Sequence, residues 1–216
     1  MDHLFDSGFP PGEQIPRRIE VALIPEPGPH GEAVRMTING ISAGDPLTDN
    51  GWTETGYRWH DTLHLAHAMC LGWSPVLRSL AGIKRRSDPR TDHIEDGGRA
   101  AVADEAIAWT VFCHARQHGW YEHRPPGTRL LGHVRAMTYA LEVSACTSAE
   151  WEHAICTGMA CLRAVWHHHG GILTGDLRTR SLAFTGPVPP PSARAAGPTW
   201  AGTGNRCPRV SAGTPA

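Results

Sequence analysis

The sequence predicts an α+β fold that is mostly helical, on the evidence of three patterns. Residues 17–24 and 34–38 alternate apolar and polar side chains, as strands do. The region 57–169 instead carries apolar residues at helical spacing between glycine and proline breaks. A second alternating pair, 171–177 and 180–184, follows it. We therefore predict a bundle of about five helices with an N-terminal and a C-terminal β-hairpin.

The two predicted hairpins are separated from their surroundings by turn signals. Residues 25–31 contain three prolines and two glycines, which predicts a loop between the first two strands. Asn39-Gly40 is typical of a tight turn, and residues 41–42 form a candidate third strand.

Helix boundaries follow from caps and breakers. Ser74-Pro75 is an N-cap followed by proline at the first helical position, and Thr147 with Glu150 has the capping-box spacing. Glycines at 72 and 119 end the helices before them. The predicted helices cover 57–71, 75–80, 95–118, 128–144 and 147–169. In the third of them, the apolar side is expected to consist of Val102, Ala106, Trp109 and Phe112.

Composition divides the chain into three parts. Residues 1–14 are rich in glycine and proline and are predicted to form an arm. Residues 15–186 are predicted to form one domain. Residues 187–216 are rich in proline, alanine, glycine, serine and threonine, so they bury too little apolar surface to offset ordering entropy, and we predict disorder there.

Charge and cysteine content exclude several classes of partner. The formal net charge is −1, which gives no indication of nucleic-acid binding. No apolar run reaches transmembrane length, and the N-terminus lacks the basic and apolar regions of a signal peptide, so no membrane partner is expected. The six cysteines include no CxxC pair. These features predict a cytoplasmic protein without disulfides.

Three histidines at helical spacing are the most informative local pattern. His60, His64 and His67 stand at i, i+4 and i+7 on one face of the first predicted helix, with Asp61 beside them. This spacing suits a divalent metal ion, for which Zn²⁺, Mn²⁺ and Mg²⁺ are the candidates. The alternative is a buried polar network satisfied by carboxylates, because polar groups in a core need partners.

Glu105 is a candidate partner for these histidines. It stands in the middle of the apolar stripe predicted for helix 95–118, where a carboxylate is seldom buried unless paired. It could serve with Asp61 as a ligand or general base, whereas the alternative is a glutamate at the edge of the stripe that points to water. Four basic residues are candidates for holding phosphate: Arg58, Lys84, Arg85 and Arg86. The alternative for the run 84–86 is a solvated loop.

Several stretches together resemble the C-terminal domain of MazG-like nucleotide pyrophosphohydrolases. The resemblance covers about 4–184 and rests on Leu4–Arg18, Gly44–Asn50, Gly56–Asp61, Leu65–Ala68, Leu71–Arg78, Lys84–Arg90, Ile94–Arg99 and Glu150–Ile155. In that family a preceding MazG domain carries the Mg²⁺ site, a helical EExxE followed by ExxD. This chain contains no Glu-Glu dipeptide, so the resemblance implies a nucleotide-metabolism context without the family's pyrophosphohydrolase residues.

Two functions follow from these observations. The first is an accessory or partner-binding domain, separated from its catalytic half, that docks a MazG-type catalytic protein or forms a homo-oligomer. The second is a metal-dependent nucleotide phosphohydrolase or nucleotide-binding domain that uses His60, His64 and His67 with Asp61 or Glu105. The second idea requires that His60 and Glu105 lie close together in the fold.

Overall fold

A computed structural model of the chain describes residues 4–188, and it confirms the mostly helical α+β fold. The helices of this part are α1 (Asp61–Ala66), α2 (Pro75–Leu80), α3 (Pro89–Ile94), α4 (Gly98–Gln117), α5 (Thr128–Met137) and α6 (Ser148–His167). The strands are β1 (Arg18–Gly28), β2 (Gly31–Ile38), β3 (Ile41–Ser42), β4 (Gly171–Asp176) and β5 (Ser181–Gly186). None of the helices in this part of the chain combines the length and the apolar character that a membrane span requires.

The two predicted hairpins belong to one antiparallel sheet with strand order β3-β2-β1-β4-β5. They are joined where β1 pairs with β4, with Val21 opposite Leu173. The loop predicted over 25–31 is wrong, because β1 continues through Pro25 and Pro27 to Gly28, opposite β2. Proline is tolerated there because the pairing with β4 ends at Leu23, so the prolines lie on a free edge of the strand.

The helix predicted over 95–118 is two helices. Asp88 caps α3 with its side chain, and Pro89 is the first helical residue. A break at Gly97 then separates α3 from α4. A Cβ at Gly97 would collide with the carbonyl oxygen of His93, so only glycine fits. The helix predicted over 128–144 ends at Met137 and is followed by a short 3₁₀ turn, Glu142–Ala145.

The first predicted helix also has three parts. A 3₁₀ turn (Tyr57–Trp59) precedes α1, and a π-helical turn (His67–Leu71) follows it directly. The segment ends at Gly72 in the left-handed conformation, as predicted. α1 packs tightly against α6, because Gly158 leaves room for Leu63 and Ala66; a Cβ there would lie 2.9 Å from the Leu63 side chain. α6 in turn covers the sheet, so α1 lies deep in the molecule.

The described part of the predicted N-terminal arm packs against α2. Asp6 is 1% exposed and accepts hydrogen bonds from the backbone N–H of Ile15 and from Nη2 of Arg78, while Arg17 lies 2.9 Å from its other oxygen. Burial alone raises the pKa of Asp6, but these donors outweigh it and lower the pKa below its usual value. Residues 189–216, which include most of the predicted disordered tail, lie outside the described residues.

The N-terminus of α6 provides a direct test of the capping box. Thr147 accepts a hydrogen bond from the backbone N–H of Glu150, whose carboxylate accepts one from the backbone N–H of Thr147. We expect Thr147→Ala to lower the free energy of unfolding by about 1 kcal/mol, measured by urea titration. Thr128→Ala is the matched control, because no side chain caps α5. Equal losses in both variants would contradict the capping role.

Candidate metal site

Two histidines of the α1 segment face one carboxylate of α4. His60 immediately precedes α1, and His64 lies one helical turn later. Nε2 of His60 is 3.8 Å from Oε2 of Glu105, and Nε2 of His64 is 3.5 Å from the same oxygen. One potential ligand atom from each of the three residues lies within 4.8 Å of the other two. The structure therefore brings His60 and Glu105 together, as the metal hypothesis requires.

Asp61 lies at the edge of this group. Its Oδ1 is 3.9 Å from Nε2 of His60, and the residue is 6% exposed. Burial raises its pKa above the usual range, because the charged carboxylate loses hydration. We call His60, Asp61, His64 and Glu105 the α1–α4 site; it combines two imidazoles with two carboxyl groups.

The contact made by Nδ1 of His60 fixes its tautomer. Nδ1 lies 2.8 Å from the carbonyl oxygen of Tyr57, and a carbonyl oxygen only accepts, so Nδ1 carries a proton. The ring also stacks on Tyr57 at a centroid distance of 4.1 Å. Burial lowers the pKa of His60, which favours the neutral ring. A neutral ring with hydrogen on Nδ1 presents the lone pair of Nε2 to the two carboxyl groups.

His64 is held by carboxylates on both sides. Its Nδ1 lies 3.1 Å from Oδ1 of Asp104, and its Nε2 faces Glu105. Burial opposes the charged ring, but Asp104 and Glu105 outweigh it and raise the pKa of His64 to about 10. Burial likewise opposes ionisation of Asp104, yet His64 and His67 outweigh it and lower the pKa of Asp104. Without another cation, a protonated His64 therefore lies between the two carboxylates, 3.1 Å from Asp104 and 3.5 Å from Glu105.

His67 is separated from the α1–α4 site. It begins the π-helical turn, is fully buried, and its Nδ1 lies 2.8 Å from Oδ1 of Asp104. His64, His67 and Asp104 make a second, inner group in which potential ligand atoms lie within 4.8 Å of one another. The three histidines predicted as one set thus divide between two carboxylates, with His64 shared.

The predicted apolar stripe of α4 is right at Phe112, which is buried, but wrong at Val102 and Trp109. Val102 is 67% exposed, Trp109 is 52% exposed, and the Glu105 side chain is half exposed. The carboxylate that faces the core is Asp104. The buried face consists of Ala100, Asp104, Ile107, Ala108, Val111, Phe112 and Ala115. The alanines of this face give a weaker apolar signal than valine and tryptophan. Their helical spacing with Asp104 could nevertheless have revealed the buried face.

Three of the four basic residues predicted to hold phosphate are paired with other carboxylates. Arg58 contacts Glu32 at 3.2 Å and Asp49 at 3.5 Å, while Lys84 lies 3.9 Å from Asp92.

Arg85 departs most from the picture of a solvated loop. It is fully buried, with Nη2 2.7 Å from both Asp96 and Glu142. Burial opposes its charge, but these carboxylates raise its pKa further. Arg86 is exposed.

Fold and site together define a mixed α+β domain in which a helix–helix contact holds a histidine–carboxylate group. The family model of the MazG C-terminal domain matches residues 1–188, and the chain belongs to this family. No curated protein and no solved structure matches the chain.

The burial of Arg85 predicts a structural role for this residue. We expect Arg85→Met to lower the free energy of unfolding by about 3–5 kcal/mol, because Asp96 and Glu142 would lose the guanidinium between them. Arg86→Met removes the same charge from an exposed neighbour and should change stability by less than about 0.5 kcal/mol. Chemical denaturation measures both. Similar stability of the two variants would contradict a structural role for Arg85.

Proposed function

We propose that this MazG C-terminal domain binds a divalent metal ion at the α1–α4 site and serves as an accessory domain in a MazG-type nucleotide pyrophosphohydrolase system. One observation carries the metal proposal. Nδ1 of His60 is hydrogen-bonded to a carbonyl oxygen and Nδ1 of His64 lies 3.1 Å from a carboxylate oxygen of Asp104, while Nε2 of both rings faces Glu105. Metal-binding histidines in proteins commonly have this arrangement, with the second nitrogen bonded to a carbonyl or carboxylate.

The donor set suits Zn²⁺ or Mn²⁺ better than Mg²⁺. Imidazole nitrogens are favourable ligands for zinc and other transition metals, whereas Mg²⁺ prefers oxygen. Ligands about 2.0–2.2 Å from a tetrahedral ion lie roughly 3.3–3.6 Å from each other. The separations of 3.5 and 3.8 Å from Glu105 to the two histidines are close to this range.

The charges around the site also favour a cation. Of the two histidines that face Glu105, His60 favours its neutral form, so only His64 brings a positive charge to this carboxylate. The lone pair of His60 is therefore directed at acidic oxygens, an arrangement that a proton or a metal ion would stabilise.

The basic residues support the accessory role. Arg58 and Arg85, two of the four candidates for binding phosphate, are already paired with carboxylates. A polyphosphate at the α1–α4 site would thus lack their charge.

A second candidate function is metal-dependent hydrolysis of nucleotides at the same site. The half-exposed Glu105 leaves the site open to solvent on the α4 side, and Asp61 lies beside His60 as a candidate base. A bound divalent ion would polarise a phosphoryl oxygen and lower the pKa of a bound water.

Metal content of untagged protein, purified without an affinity column, tests the proposal. We expect about one equivalent of zinc or manganese, lost in His64→Ala and in Glu105→Gln, because each change removes a ligand. A variant with alanine at 167, 168 and 169 should keep its metal, since these histidines lie beyond the site at the end of α6. Loss of the metal in the triple variant, together with its retention in His64→Ala, would contradict the α1–α4 site.

Turnover of nucleoside triphosphates with Mg²⁺, Mn²⁺ or Zn²⁺ separates the two functions. Under the accessory role, the purified domain binds metal but does not hydrolyse any of the panel. Hydrolysis that is lost in His64→Ala and in Asp61→Asn would establish the catalytic alternative. Asp45→Asn, at an exposed loop position, is the control.

Zinc affinity should rise with pH. Because the pKa of His64 is about 10, the ion must displace a proton from this ring at neutral pH, and binding is weakened as the proton concentration rises. We expect the apparent association constant to increase about tenfold per unit between pH 6 and pH 7.5, measured by competition with a chelator. A flat profile would argue against His64 as a ligand.

A further inference from the structure

We infer that Asp104 is the positioning residue of this site, holding His64 so that Nε2 is the nitrogen offered to the metal ion. This inference rests on the proposed metal site and concerns how the fold prepares it. Asp104 is fully buried and does not belong to the set formed by His60, His64 and Glu105.

The two oxygens of Asp104 have separate tasks. Oδ1 is hydrogen-bonded to Nδ1 of His67 at 2.8 Å and makes a close ion-pair contact of 3.1 Å with Nδ1 of His64. Oδ2 accepts a hydrogen bond of 2.6 Å from the hydroxyl of Ser74 and one of 3.3 Å from the backbone N–H of Val76. One oxygen is therefore directed at the histidines, and the other is directed at the first turn of α2.

The contact with α2 prevents Asp104 from turning. Ser74 is the N-cap of α2, and its hydroxyl oxygen accepts from the backbone N–H of Leu77 while its proton is donated to Asp104. The N–H of Val76 can only donate. The oxygen next to α2 must therefore be an acceptor, which fixes which edge of the carboxylate faces the histidines.

An ionised carboxylate only accepts, so Nδ1 of His67 donates its proton to Asp104. Nδ1 of His64 lies 3.1 Å from the same oxygen and carries a proton because a lone pair there would face the negative charge. For His64 this leaves Nε2 as the nitrogen that can bind an ion beside Glu105. His60 is prepared in the same way, but by the main-chain carbonyl of Tyr57. A substitution cannot remove a main-chain carbonyl, so the proton position is open to mutation only at His64, through Asp104.

Replacement of Asp104 by asparagine changes the donor pattern at nearly constant shape. If its amide oxygen stays beside Val76, its amino group faces His64 and His67, whose Nδ1 atoms must then become acceptors. His64 would carry its proton on Nε2, the wrong nitrogen for binding the ion. If the amide flips, its amino group instead meets the N–H of Val76, and two donors face each other.

The test combines zinc affinity with nitrogen-15 NMR of the histidine rings. We expect Asp104→Asn to bind zinc about 10–100-fold more weakly than the wild type. In metal-free protein, Nδ1 of His64 should be protonated in the wild type and unprotonated in Asp104→Asn. Thr147→Ala is the matched control: it loses a helix cap that does not contact Asp104, so it should be less stable, but its zinc affinity should remain within about twofold of the wild type.

Three results would overturn the inference. The first is unchanged zinc affinity in a folded Asp104→Asn variant. The second is Nδ1 of His64 unprotonated in the metal-free wild type. The third is zinc-loaded wild type in which His64 binds through Nδ1, a measurement that needs no variant to fold. Absence of zinc binding in the wild type would instead refute the proposed function, while the metal-free NMR comparison would still decide whether Asp104 sets the proton position.

Discussion

The buried carboxylate of Asp104 connects α4 to two segments that precede it by about 30 to 40 positions, the α1 segment and the start of α2. It lies on α4, contacts two histidines of the α1 segment, and accepts from the first turn of α2. A carboxylate without solvent is costly unless donors surround it, so each of these segments has to reach its place for the others to be stable. The same requirement fixes the orientation of the His64 and His67 rings. It therefore also decides which ring nitrogen of His64 faces Glu105.

Strong local signals were enough to predict much of the architecture. The cap at Ser74, the capping box at Thr147 and the glycine at position 72 are found where the sequence placed them, because each depends on residues only a few positions apart. Pairing of β1 with β4 could not be predicted in this way, because alternation identifies a strand but not its neighbour. The continuation of β1 through two prolines could not be predicted either, because it depends on β4 leaving that edge of β1 unpaired beyond Leu23.

The candidate site was predictable in outline and not in detail. Histidine spacing identified a shared face, and the approach of His60 to Glu105 agrees with it. The division between Glu105 and Asp104 was missed because large apolar residues at 102 and 109 outweighed the alanines that line the true buried face. Arg85 shows the same limit: a basic run looks solvated in sequence, whereas its carboxylate partners come from positions 96 and 142.

The pairing of β1 with β4 also sets the order of events during folding. Arg18 and Asp176 lie opposite each other although 158 positions separate them, and all six α-helices of the described chain lie between these strands. The central pair of the sheet therefore depends on closing a very long loop, whereas α4 and α6 need only local contacts. On a ribosome, β1 and β2 would emerge early and wait with one strand edge uncovered until β4 is synthesised, the stage at which association of unfinished chains is most damaging.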